Sequence, residues 1–450
     1  MAFFDQLTEA QKLNLLEQIE SLAFPHIERW IGEIIKNTHS TALGTDFSPP
    51  RSYPPRPENP DQRQRYAKAV NLGKKLISAG KVAAFVVAGG QGTRLGFDGP
   101  KGDFPIGPVS NRSLFHIFAD TIKAVGRKYH VVCPWYVMTS PLNHKRTIEV
   151  FQENNFYGLG IENVFIFQQG TLPNFDFDGK IRLADKARIA CSPDGHGGSL
   201  KALCQSGALE DMKNRGVEFL SYFQVDNALI SIFDPLFIGL HALDEAEMSS
   251  KALTKSGPKE KVGNFCLIDG KINVIEYSDL PDELAGRRNP DGSLVFHLGS
   301  IAIHIINRTF VERLNANDFG LPLHKAVKQV PHVDEKGNIV ESDGIKLESF
   351  VFDALPLASK SIILETLRHE EFAPTKNATG IDSVETTKQM IVDRAADWLE
   401  SAGVTIPRTS DGSVDCLLEI APGFALDRES LKEKLNRIPA ITPGAKIYLS

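Results

Sequence analysis

Long apolar runs are missing from this chain of 450 residues: no stretch approaches the ~18 consecutive apolar residues that a membrane-crossing helix needs. The N-terminus, MAFFDQLTEAQKLNLL, carries acidic residues where a secretory leader carries positive ones, so neither export nor a membrane partner is expected. A basic surplus is lacking too. Lys and Arg number 50 against 56 Asp and Glu, a formal charge of −6, and nucleic-acid binders depend on clustered cations, so no nucleic-acid partner is expected. The cysteines Cys133, Cys191, Cys204, Cys266 and Cys416 stand apart, with no C-x-x-C pair. That removes a zinc ribbon and a disulfide framework, and leaves reduced thiols in a cytoplasmic protein as the expectation. No internal repeat or low-complexity tract is visible.

What is present starts with a helix signal. Thr8 is followed three residues later by Gln11, a capping-box spacing, and Leu15, Leu16, Ile19, Leu22 and Ala23 recur at helical spacing until Pro25. SPPRSYPPRPENP, from Ser48 to Pro60, is too rich in proline for a helix and reads as an extended strap; a helical run from Arg65 to Leu76 follows. From Lys81 onward the pattern changes. KVAAFVVAGG, HVVCPWYVMTS, ENVFIFQQG and VEFLSYFQVDN are short β-rich runs, each ending in polar or glycine residues. Helical patterns separate them at Leu114 to Val125, His144 to Glu153 and Ser199 to Asn214. This alternation predicts an α/β fold with a mostly parallel, doubly wound, Rossmann-like sheet. In such sheets ligands bind beyond the carboxyl ends of the strands. After about Lys255, NFCLIDGKINVIEY with its Asp269-Gly270 turn predicts a hairpin extending the sheet near that site. A helix from Glu385 to Ser401 and short strands to Ser450 suggest a small C-terminal α+β unit.

The loop after the first strand, VVAGGQGTRLGFDGPKG, is the most informative stretch. Glycines there let backbone N–H groups approach a phosphate. A Walker loop fails because Phe97 follows Gly96, and a dinucleotide fingerprint fails because Gly90, Gly92 and Gly96 are spaced one residue too wide. Arg94 and Lys101 are extra cations of the kind that neutralise charge on a departing pyrophosphate. A glycine-rich turn with two solvated basic residues is the bland alternative.

Gly89-Gly90-x-Gly92-Thr93-Arg94-Leu95-Gly96 with Pro100-Lys101-Gly102 resembles the signature of UTP-dependent UDP-sugar pyrophosphorylases. QQGTLP (168–173), PDGHGG (193–198), QVDN (224–227), EYSDLP (276–281), GIKLESFVFD (344–353) and RHEEFAPTKN (368–377) match in order. The resemblance is closest to the eukaryotic-type UDP-N-acetylglucosamine pyrophosphorylases and extends to about Asn377. It implies a sheet of the nucleotidyltransferase (GT-A-like) type. The organisation expected is an N-terminal helical segment and strap at 1–75, a catalytic domain at 76–378 and a C-terminal domain at 379–450.

Carried over residue by residue, the resemblance assigns Ala88, Gly89, Gly90, Gln91, Gly92, Thr93, Gln169, Pro193, Gly195 and His196 to the nucleotide. A planar amide such as that of Gln169 can donate and accept at once, as a uracil edge asks. Asp226, just past the apolar run FLSYF, matches the nucleotide-binding carboxylate that can hold Mg²⁺, a cation content with one or two carboxylates plus phosphate oxygens. Arg94, Lys101 and Lys376 match catalytic cations and Lys346 a further phosphate-binding lysine. Gly263, Glu276, Tyr277 and Ser300 match the sugar side. Without the motifs, these residues are a turn aspartate, solvated lysines and a sheet tyrosine.

Two departures bear on the sugar. The family's acetylglucosamine members carry PDGNGG where this chain has His196, and an asparagine-rich segment where it has GSIAIHI, with Ser300 and Ile303 at the asparagine places. The implied reaction is UTP + N-acetylhexosamine 1-phosphate ⇌ UDP-N-acetylhexosamine + pyrophosphate, by in-line attack on the α-phosphorus with no general base. Glucose 1-phosphate or several sugars, and a non-catalytic nucleotide-sugar sensor, are the alternatives. A dinucleotide oxidoreductase is a distant one, since Asp120 lies inside a helical pattern.

Overall fold

The computed structural model describes residues 3–36, 47–316 and 319–450. Four strands, Val82–Val87 (β1), Trp135–Thr139 (β2), Val164–Gln168 (β3) and Phe219–Gln224 (β4), lie parallel in the order β3-β2-β1-β4. Their sequences are almost continuously apolar because both faces are covered. Ala84 and Val86 of β1 enter one core with the helices Pro60–Ser78, Leu114–Tyr129, His144–Glu153 and Pro235–Leu243. Ala83 and Phe85 enter the other with the helices Gly198–Gln205, Ala208–Asn214 and Arg308–Asn315.

The other half of the sheet is mainly antiparallel. Met248–Thr254 (β5), Gly263–Ile268 (β6), Lys271–Ile275 (β7) and Leu298–Asn307 (β8) follow in the chain, and β8 runs antiparallel to β4, β5 and β6. After a separate hairpin, His324–Val333 (β9) with Ile339–Glu348 (β10), Ser361–Thr366 (β11) returns parallel to β5. The sheet is therefore mixed, with a parallel block running from β4 to the β3 edge and the antiparallel strands beyond β4. The expected hairpin is β6–β7, turning at Asp269 (φ +50°) and Gly270 (φ +76°), the left-handed pair that a tight two-residue turn needs.

Local signals resolve as physical chemistry dictates. The Thr8–Gln11 capping box starts the helix Glu9–Glu20. The single helix expected over Ser199 to Asn214 is two, because Gly207 adopts φ +82° between them. The C-terminal helix Val384–Ser401 packs on a parallel strand pair, Leu417–Ile420 (β12) and Lys446–Leu449 (β13), with Ala396, Leu399, Leu418 and Leu449 in a core of their own. No helix among the described residues is long and apolar enough to cross a membrane.

The chain leaves β1 toward β2 on one side, while β4 lies on the other. The crevice such a reversal opens lies at the carboxyl ends of β1 and β4.

Candidate active site

The glycine loop folds back on itself at that crevice. Lys101 N–H donates to Gly90 O at 3.0 Å, Gly92 N–H to Gly99 O at 2.9 Å and Phe97 N–H to Gly92 O at 3.1 Å. Lys101 thereby returns beside Gly90. A residue that the motifs do not contain holds the loop's root. Asn143 Nδ2 donates to Ala88 O at 2.9 Å and Gly90 O at 3.2 Å, while its Oδ1 accepts Ser140 N–H at 2.9 Å. Its position just past the end of β2, before the helix His144–Glu153, was the only sequence signal for it. Gln91 Nε2 donates to Leu142 O at 3.1 Å in the same layer, and Thr93 and Arg94 are exposed at the loop's outer turn.

Gln169 reaches this loop from the end of β3. A Cβ on Gly89 would stand 2.6 Å from Gln169 Oε1, so the backbone at Gly89 approaches the amide as only glycine can. Gln169 Nε2 donates to Asp194 Oδ1 at 3.2 Å and to Gly195 O at 3.4 Å, which joins it to the PDGHGG turn. Asp194, unforeseen in the sequence, is buried, and desolvation raises its carboxyl above the usual range against the Gln169 hydrogen bond. Pro193 ends the preceding strand, paired with Thr171. His196 is anchored by one ring nitrogen. Its Nδ1 accepts Val351 N–H at 3.1 Å and its ring meets Phe350 at 5.3 Å and Phe352 at 5.7 Å. Burial, then the charge of His324, push it down to about 4, so it is neutral near pH 7 and able to accept that bond.

The charged centre joins the two strand ends. Lys101 Nζ lies 4.0 Å from Asp226 Oδ2, both side chains being about one-seventh exposed (13% and 14%). Asp226 follows β4, and its carbonyl accepts Thr375 N–H at 2.9 Å. Its neighbour Asn227 donates from Nδ2 to Glu371 O at 2.7 Å and accepts Ala373 N–H at 3.0 Å. The segment carrying Lys376 is thus clamped to the strand end. Beyond it Ala378 N–H donates to Arg94 O at 3.1 Å, so the Arg94 and Lys376 segments meet through their backbones. Lys376 Nζ lies 3.7 Å from Asp382 Oδ2. Lys346, half-buried on β10, makes no hydrogen bond or ion pair with Lys101, Asp226 or Lys376 among the described residues.

On the β6–β8 side, Gly263 pairs with Ser300, and Glu276 Oε1 lies 3.8 Å from where a Gly263 Cβ would stand. Gly263, Glu276 and Ser300 are therefore one cluster. Burial, then Asp279 and Asp353, raise the Glu276 carboxyl, while His324 and Lys376 oppose the rise. Tyr277 is 44% exposed at its edge. Ile303, 2% exposed, belongs to the core with Ile301 and Ile305.

A mixed α/β sheet with its loops gathered over the carboxyl ends of β1 and β4 has the architecture of a nucleotidyltransferase. The chain belongs to the UTP–glucose-1-phosphate uridylyltransferase family of UDP-sugar pyrophosphorylases, which matches residues 52–411. It is 39% identical over 403 residues to the human UDP-N-acetylhexosamine pyrophosphorylase-like protein 1, covering 84% of this chain and 79% of the relative. To the UDP-N-acetylglucosamine pyrophosphorylase of Saccharomyces cerevisiae it is 34% identical, with 97% and 94% of the two chains covered. The crystal structure of the uridine diphosphate N-acetylglucosamine pyrophosphorylase from Trypanosoma brucei in complex with inhibitor superimposes with a TM-score of 0.84 at 26% identity, covering 98% of this chain and 94% of that one.

Proposed function

We propose that this enzyme transfers the uridylyl group of UTP to N-acetylglucosamine 1-phosphate, giving UDP-N-acetylglucosamine and pyrophosphate. The observation that carries the reading is the Lys101–Asp226 approach of 4.0 Å under the glycine loop, a cation and a carboxylate at adjacent strand ends. The relatives named for this reaction support the choice of sugar.

A phosphate oxygen of the sugar 1-phosphate is already anionic at neutral pH, so attack on the α-phosphorus asks for positioning and charge stabilisation. Gly89, Gly90 and Gln169 hold the base and ribose, with Gly195 closing the pocket. Lys101 and Arg94 stabilise the leaving pyrophosphate, Lys376 approaches the α-phosphate, and Lys346 steadies the phosphates from the hairpin. Glu276, Gly263, Ser300 and Tyr277 receive the sugar. The Asp226 carboxylate makes no hydrogen bond among the described residues, which leaves its hard oxygens suited to Mg²⁺. When bound there, the ion supplies charge neutralisation on the phosphates. We place the reaction in the cytoplasm, in keeping with five cysteines none of which is paired. The division at 1–75, 76–378 and 379–450 stands as part of the same proposal.

One observation favours a second reading, a glucose-using or broad UDP-sugar enzyme. His196 and Ser300 stand where the family's acetylglucosamine members carry side-chain amides, and His196 is occupied by Val351 N–H. The test is pyrophosphate release from UTP and Mg²⁺ with N-acetylglucosamine, N-acetylgalactosamine, glucose and galactose 1-phosphates. Preference for the acetamido sugars supports the first reading and equal use of glucose the second. UTP binding without turnover on any sugar points to a nucleotide-sugar sensor.

A further inference from the structure

Between the base pocket and the sugar side stands a histidine that no motif singled out. His324 begins β9; its ring lies on Phe350 with centroids 4.6 Å apart and planes at 26°. Phe350 also meets His196 at 5.3 Å, so His324, Phe350 and His196 form one aromatic row that starts at the Gly195 turn. His324 Nε2 lies 2.8 Å from Asp353 Oδ2.

The charges facing His324 come from three elements. Asp353 belongs to the helical segment Val351–Leu357, Glu276 and Asp279 to the turn after β7, and Glu348 is the cross-strand partner on β10. His196, neutral near pH 7, is the basic neighbour. Burial disfavours the imidazolium, yet the hydrogen bond and charge of Asp353, with Asp279 and Glu276, outweigh burial and raise His324 above its ordinary value. An imidazolium has two N–H donors. Asp353 takes the one on Nε2, and Nδ1 has no partner among the described residues. The side chain is 39% exposed, so the ring is reached from outside the protein.

We propose that His324 is a specificity-determining residue of the sugar subsite: oriented by Asp353, it donates its Nδ1–H to an acceptor oxygen on the sugar of the sugar 1-phosphate. Glu276 is an acceptor for sugar hydroxyl protons, and His324, near enough for the two charges to act on each other, is its donor counterpart. The inference rests on the uridylyltransferase reading above. A merely structural His324–Asp353 pair would hold β9 to the Val351 segment and leave sugar affinity unchanged.

The experiment measures KM for UTP and for N-acetylglucosamine 1-phosphate from pH 6 to 9 in the wild type, H324Q and D353N. In H324Q the sugar KM is expected to rise about tenfold, as for one lost hydrogen bond to a substrate, with the UTP KM within about twofold of wild type. In the wild type the sugar KM should climb with pH as the imidazolium loses its proton; H324Q should be flat, and D353N should climb at lower pH. An unchanged sugar KM in H324Q, or a pH rise that persists in it, overturns the inference and leaves the reaction intact. If H324Q does not fold, a wild-type sugar KM with no alkaline rise overturns it. Absence of wild-type turnover with every sugar 1-phosphate overturns the reaction and this inference together.

Discussion

Glu419 of β12 closes its carboxylate on Ser110, in the loop that follows Lys101: Oε2 accepts Ser110 N–H at 2.7 Å and Oε1 accepts Ser110 Oγ–H at 2.6 Å. Oε2 also accepts Val109 N–H at 2.9 Å. The C-terminal unit thus grips the chain just downstream of the glycine loop. Glu419→Gln replaces an acceptor that these donors need with an amide N–H, and lost charge-assisted bonds cost about 1.5–3 kcal/mol. Its Tm should fall by several degrees and its kcat several-fold. An unchanged kcat at reduced Tm would show that the C-terminal unit serves stability alone.

Lys101→Ala should lower kcat about 10²-fold, the scale of losing one group that stabilises transition-state charge. Arg94→Ala, at an exposed position, should cost less, about tenfold. Arg94→Ala should move the Tm by no more than about 2 °C, since surface changes stay within about 0.5 kcal/mol. Lys101→Ala removes a largely buried cation beside Asp226 but keeps its backbone bond to Gly90, so the variant should fold with a modestly lower Tm. Steady-state pyrophosphate release with thermal unfolding of each variant checks both, and near-normal turnover removes the roles assigned here.

Gly89→Ala introduces a Cβ 2.6 Å from Gln169 Oε1 and 3.3 Å from Ser140 Cβ. The amide must move, which breaks its register with Asp194 and Gly195. A UTP KM raised about tenfold or more is expected, with the sugar KM far less affected; isothermal titration of UTP gives the same answer without turnover.

Asn143→Ala leaves the carbonyls of Ala88 and Gly90 and the N–H of Ser140 without this partner in a site where Asn143 is 1% exposed. Loss of a buried hydrogen-bonding side chain costs about 1–3 kcal/mol. Denaturant titration should find that loss, together with a weaker UTP affinity. A stability loss with normal UTP affinity would confine Asn143 to the fold.

His304 is fully buried; its Nδ1 lies 2.8 Å from Ser250 Oγ, and Nε2 has no hydrogen-bond partner among the described residues. Burial, then the charge of His196, push it down to about 3. With the unfolded histidine titrating near ~6.5, only the unfolded state takes up this proton on acidification below that value, so the neutral ring's stability is lost as pH falls toward 3. His304→Gln does not titrate. The Tm advantage of the wild type over it should therefore shrink from pH 7 to pH 5, as differential scanning would record; a constant difference would place the proton elsewhere.

Local structure was legible wherever a few adjacent residues decide it. Thr8 with Gln11, the 3.6-residue periodicity of His144–Glu153, and the Asp269-Gly270 turn each emerge as read. The parallel strands were legible because burial on both faces demands unbroken apolar runs. The antiparallel half was not. β5 and β8 pair through residues about fifty positions apart, such as Ser250 with His304, and nothing local in GSIAIHI names its partner.

The candidate site divides along the same line. Gly89, Gly90, Lys101, Asp226 and Glu276 were singled out because their chemistry repeats a family's motifs in order along the chain. Asn143, His324 and Glu419 lie outside those motifs, and Asp194 and Asp353 stand inside them with no role read for either, since each acts through a contact made by folding. A lone Asn, Asp or Glu in sequence carries no record of which carbonyl or N–H it will meet.

By itself, then, the sequence determined the chemistry available: glycines for close backbone approach, local cations for phosphates, a strand-end carboxylate, and membership of a uridylyltransferase family. Only the tertiary structure decided how those groups are held. It brings Lys101 within 4.0 Å of Asp226, ties Arg94 to the Lys376 segment, and sets His196 Nδ1 on Val351 N–H. The physical reason is range. Propensity, periodicity and motif spacing act over a few residues, whereas burial and hydrogen-bond satisfaction are fixed by the whole packed chain.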